Sequence, residues 1–117
     1  MTTEKAKSEG PFVPLTGADS LDELFVRSND TPIILFKHSL TCPISSAAYH
    51  EMEQLSLEVS LVIMQRSRDI SDAIEKRTGI QHESPQVIVL RNGAAAWNAS
   101  HWSITTKAVE HAVHESE

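Results

Sequence analysis

The sequence contains only one cysteine, Cys42, among its 117 residues. A single thiol cannot form a disulfide within the chain, so a scaffold stabilised by internal disulfides is excluded. The repeated cysteine spacing of a structural zinc site is absent for the same reason. A lone thiol is typical of a reducing compartment, and we therefore expect a cytoplasmic protein.

Basic residues and long apolar runs are also scarce. The chain has 10 lysines and arginines against 16 aspartates and glutamates, which gives a net charge of -6. No block of basic residues stands out, and this argues against nucleic acid or an anionic membrane surface as a partner. No apolar run approaches membrane-spanning length, and the opening residues MTTEKAKSEGPF lack the apolar segment of a signal peptide.

The rest of the composition is that of one ordinary globular domain. Hydrophobic residues make up 40% of the chain and charged residues 22%, which is enough for a core in a protein of this length. Residues 1–11 are polar and small, and we predict that they form a flexible tail. The domain is predicted to span residues 12–117, without internal repeats.

Short apolar runs predict the strands. They lie at residues 12–15, 32–36 and 59–64. Asn92-Gly93 is a strong hairpin signal between two further strands, residues 86–91 and 94–97.

Apolar residues at helical spacing predict four helices. One is capped by Asp19 or Ser20, one begins at Pro43, one covers residues 69–78, and one is capped by Ser103 and ends near His114. Gly79 supplies the stop for the third helix. The resulting order is βαβαβαββα, which favours a three-layer α/β/α architecture around a central mixed sheet. That order matches the thioredoxin fold.

Cys42 stands where a buried strand meets the start of a helix at Pro43. The free N–H groups and the positive end of the helix dipole stabilise an anion at such a position. Thiols in this setting have pKa values of about 3.5 to 7.5, against about 8.5 for free cysteine. We therefore interpret Cys42 as a reactive thiolate rather than as an inert core residue, with Lys37 and His38 as sources of positive charge.

Cys42-Pro43-Ile44-Ser45 places a hydroxyl where a dithiol enzyme has its second cysteine. No other thiol in the chain can resolve a mixed disulfide on Cys42, so an outside molecule must release it. This chemistry suits the removal of a small-thiol cap from a protein cysteine. Two roles remain open for Ser45, a hydrogen bond to the thiolate or satisfaction of backbone groups in the first helical turn.

Ser84-Pro85 directly precedes the first hairpin strand. In thioredoxin-like folds the corresponding proline is cis, and the backbone of the preceding residue pairs with the substrate. Ser84 and Pro85 are therefore candidate substrate-binding residues, although a trans proline that opens a strand is the alternative.

Other chemistries find less support. A phosphatase loop would have an arginine at position 48, which is Ala48. His111 and His114 are interpreted as a solvated helix face rather than a metal site. His38 and His82 are the histidines expected near the thiol. Three large aromatic residues are expected in the core or as hydrophobic staples at helix ends, rather than as ligand platforms: Tyr49, Trp97 and Trp102.

Three segments, KHSLTCPIS, HESPQVIVLRNG and ASHWSIT, together resemble the YtxJ-like monothiol bacilliredoxins of the bacillithiol redox system. The resemblance covers roughly residues 17–114. It implies a thioredoxin fold and a cysteine in TCPIS that reduces mixed disulfides between proteins and bacillithiol. That cysteine is Cys42, with Thr41, Pro43 and Ser45 completing the motif and His38 and Pro85 flanking the site.

The resemblance also implies the partners. These are bacillithiolated proteins and bacillithiol itself as co-substrate, with no tightly bound cofactor and no metal. Bacillithiol carries two malate carboxylates, for which Lys37, Arg68 and the helix N-terminus are the candidate binding groups. Two alternatives stay open: a monothiol reductase that uses another small thiol, and a non-catalytic module that binds a protein or an iron–sulfur cluster.

Overall fold

The computed structural model describes residues 10–117. The predicted tail therefore lies outside the described residues, except for Gly10 and Pro11. Within the described part of the chain, no helix is long and apolar enough to cross a membrane.

The five strands confirm the predicted strand positions and extend some of them. They are β1 (Phe12–Pro14), β2 (Ile33–His38), β3 (Val59–Ile63), β4 (Gln86–Arg91) and β5 (Ala94–Ser100). The β4–β5 turn is the predicted one, because Asn92 and Gly93 both have positive φ, 56° and 75°. Such values favour these two residue types in a tight hairpin.

The helices lie between the strands in the predicted order. They are α1 (Ala18–Arg27), α2 (Pro43–Glu53), α3 (Arg68–Thr78) and α4 (Thr106–Glu115), with a 3₁₀ turn at His101–Ser103. Gly79 ends α3 in the left-handed conformation, with φ 76°, as its sequence position predicts.

Two predicted helix caps are wrong. Gly17, rather than Asp19 or Ser20, is the N-cap of α1, and no side chain caps that helix. Ser103 belongs to the 3₁₀ turn, and α4 is capped two residues later by Thr105, whose side chain accepts a hydrogen bond from the Ala108 N–H. At α4, hydrogen bonds between Thr106 and Glu51 of α2 accompany the later start.

The sheet has the order β1-β3-β2-β4-β5. β3 runs parallel to both β1 and β2, whereas β4 runs antiparallel to β2 and to β5. Lys37 pairs with Gln86 in the β2–β4 register. One segment leads from the end of β2 to Cys42, and another leads through Pro85 to the start of β4. Because β2 and β4 are antiparallel, both segments lie at the same end of the sheet.

Side chains alternate between the two covered faces of the sheet, as the buried runs predict. Ile34 and Phe36 pack with α2 and α4 in one core cluster, and this surface is the α2/α4 face. Ile33 and Leu35 pack with α1 and α3 in the other cluster, and this surface is the α1/α3 face. The result is the predicted three-layer arrangement.

Candidate active site

Cys42 is the N-cap residue of α2. Its backbone is extended (φ -100°, ψ 123°), Pro43 occupies the first helical turn, and the Cys42 carbonyl accepts the Ser46 N–H at 3.0 Å. The thiol is half-buried and makes no capping hydrogen bond to the helix. A nucleophile at this point lies at the positive end of the α2 dipole without being tied to a backbone donor.

Ser45 is fully buried, with 0% exposure. Its Oγ accepts the Ser39 N–H at 2.9 Å and lies 3.1 Å from Nδ1 of His38. Among the hydrogen bonds of residues 10–117, none joins Ser45 to Cys42. The geometry favours the second of the two roles predicted for Ser45, the satisfaction of backbone groups.

His38 points onto the α2/α4 face, where its ring packs against Phe36 and Tyr49 at centroid distances of 5.4 and 4.9 Å. Burial lowers the pKa of His38, and the hydrogen bond to Ser45 opposes that change. The Ser45 hydroxyl is both a donor and an acceptor, so it can pair with Nδ1 of His38 in either tautomer of the ring.

Gln65 holds the loop that precedes Cys42, and the sequence reading missed it. Its Oε1 accepts the Leu40 N–H at 3.1 Å, and its Nε2 donates to Oγ of Ser39 at 3.0 Å and to Oγ1 of Thr41 at 3.5 Å. Gln65 follows β3, more than twenty residues from that loop. No local sequence signal links the two segments.

The Ser84–Pro85 peptide bond is cis, which is the conformation that the thioredoxin-like interpretation favours. The Pro85 carbonyl accepts the His101 N–H at 3.1 Å, so the 3₁₀ turn closes over this segment. The Ser84 hydroxyl is buried and has no hydrogen-bond partner among the described residues. Pairing of the Ser84 backbone with a substrate stays a prediction.

Lys37 lies on the opposite side of the sheet from His38. Its side chain is 1% exposed, and its ammonium lies 3.3 Å from Nδ1 of His82, on the α1/α3 face. A group so deeply buried is not available to carboxylates at the protein surface. Arg68, at the start of α3, is exposed and stays a candidate for that role.

Three further expectations concern aromatic and histidine side chains. Tyr49 and Trp97 pack against the α2/α4 core, as predicted. Trp102 lies in the short 3₁₀ turn and is 70% exposed, so the core interpretation is wrong for this residue. His111 and His114 are exposed, and the described residues contain no cluster of potential metal ligands.

Comparison with known proteins relates this geometry to a family. The family described as monothiol bacilliredoxin BrxC matches residues 13–109. A solved structure described as "a putative oxidoreductase with a thioredoxin fold" is 31% identical to this chain. That match covers 89% of this chain and 95% of the other, with a TM-score of 0.81.

Thioredoxins share the fold at much lower identity. A mutant thioredoxin from Halobacterium salinarum NRC-1 is 11% identical, with a TM-score of 0.68, over 92% of this chain and 93% of that one. The thioredoxin of Nicotiana alata is 10% identical, with a TM-score of 0.72, over 92% of this chain and 94% of that one. The lone cysteine before α2, the thioredoxin fold and the family match lead to one conclusion: the chain belongs to the monothiol bacilliredoxin family and is a thiol-disulfide oxidoreductase.

Proposed function

We propose that the protein removes bacillithiol from protein mixed disulfides, with Cys42 as the nucleophile. The single observation that carries this proposal is the position of the only thiol, at the N-terminus of α2 and without a second cysteine anywhere in the chain. The reducing cytoplasm is the compartment in which such an unpaired thiol remains available.

The reaction proceeds by two thiol–disulfide exchanges. The Cys42 thiolate attacks the bacillithiol sulfur, the S–S bond of the substrate breaks, and the substrate protein leaves as a thiolate. A disulfide now joins Cys42 to bacillithiol. An outside thiol then attacks this disulfide, takes the bacillithiol into a new mixed disulfide, and regenerates the Cys42 thiolate. The substrate protein gains two electrons, and outside thiols supply them.

The position of Ser45 supports an outside resolving thiol. Ser45 stands at the position where a dithiol protein has its second thiol. Its hydroxyl lies in the interior and is hydrogen-bonded to Ser39 and His38. Ordinary exchange with bacillithiol or with another reductase is therefore the route for release. Bacillithiol acts as co-substrate in this scheme, and no resident cofactor takes part.

The test uses a small protein whose single cysteine carries bacillithiol. Intact-mass analysis after mixing should show the bacillithiol mass moving to the wild-type chain, and the adduct should persist until an outside thiol is added. Cys42→Ala should show no transfer. Absence of transfer to the wild-type chain would contradict the proposal.

The same assay with glutathione- and coenzyme A-capped proteins tests the choice of small thiol. Faster transfer from either of these would favour a monothiol reductase of different specificity. Bound iron with a visible absorption band in the purified protein, lost in Cys42→Ala, would support cluster binding instead.

A further inference from the structure

Residues 81–85 are anchored by side chains that take no part in the thiol chemistry. The anchoring groups come from three elements: Lys37 on β2, Ser71 and Glu75 on α3, and Gln86 on β4. They lie at the α1/α3 face, on the opposite side of the sheet from His38. The segment they hold carries Ser84 and Pro85 to the same edge of the sheet as Cys42.

Lys37 is the unusual member of this group. Its side chain is buried, and no carboxylate among residues 10–117 lies within ion-pair distance of its ammonium. Burial lowers the pKa of Lys37, while the negative charges of Glu75 and Asp72 oppose that change. A buried cation without a close ion-pair partner costs free energy, so packing alone does not explain why lysine stands here.

His82 is the group that Lys37 contacts. Nδ1 of His82 lies 3.3 Å from the Lys37 ammonium and 3.1 Å from the Ser71 hydroxyl. The ammonium has only donors, so Nδ1 accepts and carries no proton. The His82 backbone N–H donates to Oε2 of Glu75 at 3.1 Å. Both the side chain and the backbone of His82 are thus fixed.

The charges that act on His82 come from β2 and α3. Burial lowers the pKa of His82, and the positive charges of Lys37 and Arg68 lower it further, whereas Glu75 and Asp72 oppose this. Next to His82 on the segment, Glu83 lies 3.6 Å from the imidazole of His101 in the 3₁₀ turn. Protonation of Nδ1 would place a donor against the Lys37 ammonium and break that hydrogen bond.

Gln86 closes the segment at its other end. Its Nε2 donates to the Gln81 carbonyl at 3.0 Å, while its Oε1 is buried without a partner among the described residues. An unpaired buried acceptor is a cost that an apolar side chain would remove. Gln86 pairs with Lys37 in the sheet register. The buried Lys37 ammonium and the unpaired Gln86 oxygen, both of which cost free energy, therefore belong to side chains that contact the same segment.

We propose that Lys37 and His82 are positioning residues for thiol exchange, which together hold the Ser84 backbone ready for an extended disulfide substrate beside Cys42. This inference rests on the proposed function only in taking Cys42 as the nucleophile. It does not depend on which small thiol caps the substrate. Neutral His82 is required, because only then does Nδ1 accept from Lys37.

The first test compares two disulfides in single-turnover reactions followed by intact mass. Hydroxyethyl disulfide is too small to pair with the Ser84 backbone, whereas a cysteine peptide capped with bacillithiol can pair. We expect Lys37→Met to lower the rate with the peptide about tenfold, since misplaced reacting groups lose rates of this order or more. The rate with hydroxyethyl disulfide should stay within about twofold of wild type, because the Cys42 segment is unchanged.

Lys76→Met is the matched control, because Lys76 is an exposed lysine in the last turn of α3. It should change neither rate. Equal rates of wild type and Lys37→Met with the peptide would overturn the proposal. So would an equal loss with both disulfides, which would mean that Lys37 acts on the thiol itself.

The second test uses the protonation of His82. The ratio of the peptide rate to the hydroxyethyl disulfide rate cancels the thiolate fraction of Cys42. In wild type this ratio should fall as the pH drops below the ordinary histidine value of 6.5. His82→Asn keeps an acceptor near the Nδ1 position but does not titrate, so its ratio should stay high and flat.

His82→Ala lacks the acceptor and should have a low ratio at every pH. A wild-type ratio independent of pH, or a low ratio in His82→Asn, would overturn the proposal. If Lys37→Met does not fold, as judged by circular dichroism, the His82 variants decide the question. Failure of Cys42 to react with either disulfide would instead refute the proposed function, so the two failures are distinguishable.

Discussion

Ser45 occupies the position of a second active-site thiol, yet its hydroxyl connects two parts of the structure. It accepts the Ser39 N–H and lies within hydrogen-bond distance of His38 Nδ1. Ser45 and His38 are buried and Ser39 is half-buried, and a buried polar group without a partner costs roughly 1–3 kcal/mol. At the scale of the residue, Ser45 serves stability more than the exchange reaction.

Replacement of Ser45 by alanine tests this assignment. Ser45→Ala should lower the free energy of unfolding by about 1–3 kcal/mol, because Ser39 N–H and His38 Nδ1 lose their partner. The exchange rate of the folded variant should fall only slightly, because Cys42 is untouched. Urea unfolding and single-turnover exchange measure the two effects. Ser46→Ala, the exposed neighbour, should stay within about 0.5 kcal/mol of wild type, and an equal loss there would contradict the assignment.

Two histidines, the buried His38 and the half-buried His82, make stability depend on pH. Burial is the largest cause of the lowered pKa in both His38 and His82. The unfolded chain therefore binds protons at higher pH than the folded protein does. The contribution of the two neutral histidines to the free energy of unfolding is complete above 6.5, the ordinary pKa of histidine. It is lost as the pH falls from there through the lowered pKa values.

Urea unfolding between pH 7.5 and pH 5 should therefore show a declining free energy of unfolding. The slope should flatten when His38 and His82 are both replaced by asparagine, which does not titrate. His111→Asn is the control for the substitution itself, because His111 is exposed on α4 and has no ion pair among the described residues. A free energy that rises toward acid pH would exclude this account.

At the scale of the element, the sequence predicts which helices and strands exist better than where they begin. The spacing of apolar residues predicts every strand and every α-helix of the described residues. Asn92-Gly93 specifies a turn and Gly79 a helix end, because these residues adopt positive φ values. The start of α4 was misplaced because Ser103 and Thr105 are both good caps. A contact from α2, more than fifty residues away, distinguishes them.

That contact joins Glu51 to Thr106. The Thr106 N–H donates to Oε1 of Glu51 at 2.7 Å, and the Thr106 hydroxyl lies 2.7 Å from the Glu51 carbonyl. Two hydrogen bonds from Thr106 lower the pKa of Glu51. The one from the backbone N–H has the larger effect, and the one from the hydroxyl has the smaller. A carboxylate thus satisfies a free N–H at the α4 N-terminus and complements its dipole.

Glu51→Ala should lower the free energy of unfolding by about 1 kcal/mol, the usual cost of a lost helix cap. Glu53→Ala is the matched control on the same helix, since its exposed pair with His50 contributes only about 0–1 kcal/mol. Urea unfolding of both variants at pH 7 provides the comparison. A larger loss in Glu53→Ala than in Glu51→Ala would refute the assignment.

At the scale of the whole molecule, the sequence predicts that Cys42 lies at the start of a helix, as the structure shows, but not what surrounds it. The position of Cys42 is predictable because a strand, a proline and a helix are local features, whereas its role as the nucleophile stays a prediction. Lys37 and His38 are adjacent in sequence, yet strand alternation places them on opposite faces of the sheet. The contacts of Gln65 with the Cys42 loop and of Lys37 with His82 join residues that are more than twenty positions apart, so no local sequence pattern predicts them.

Gln65 carries the last prediction, because it connects the end of β3 to the segment that presents Cys42. Gln65→Ala removes an acceptor from the Leu40 N–H and donors from Ser39 and Thr41. The Cys42 segment should then lose its fixed path, and exchange with hydroxyethyl disulfide and with the capped peptide should fall together, by about tenfold. Lys37→Met, in contrast, should slow the peptide reaction alone.

Two further variants separate these contacts from a general loss of stability. Gln65→Glu keeps the acceptor for Leu40 and gives the Ser39 and Thr41 hydroxyls a carboxylate oxygen to which they can donate, so its rates should lie between those of wild type and Gln65→Ala. Gln54→Ala removes an exposed glutamine at the end of α2 and should leave both rates unchanged. Normal rates in Gln65→Ala would show that the Cys42 segment holds its path without β3, and that the thiol depends on α2 alone.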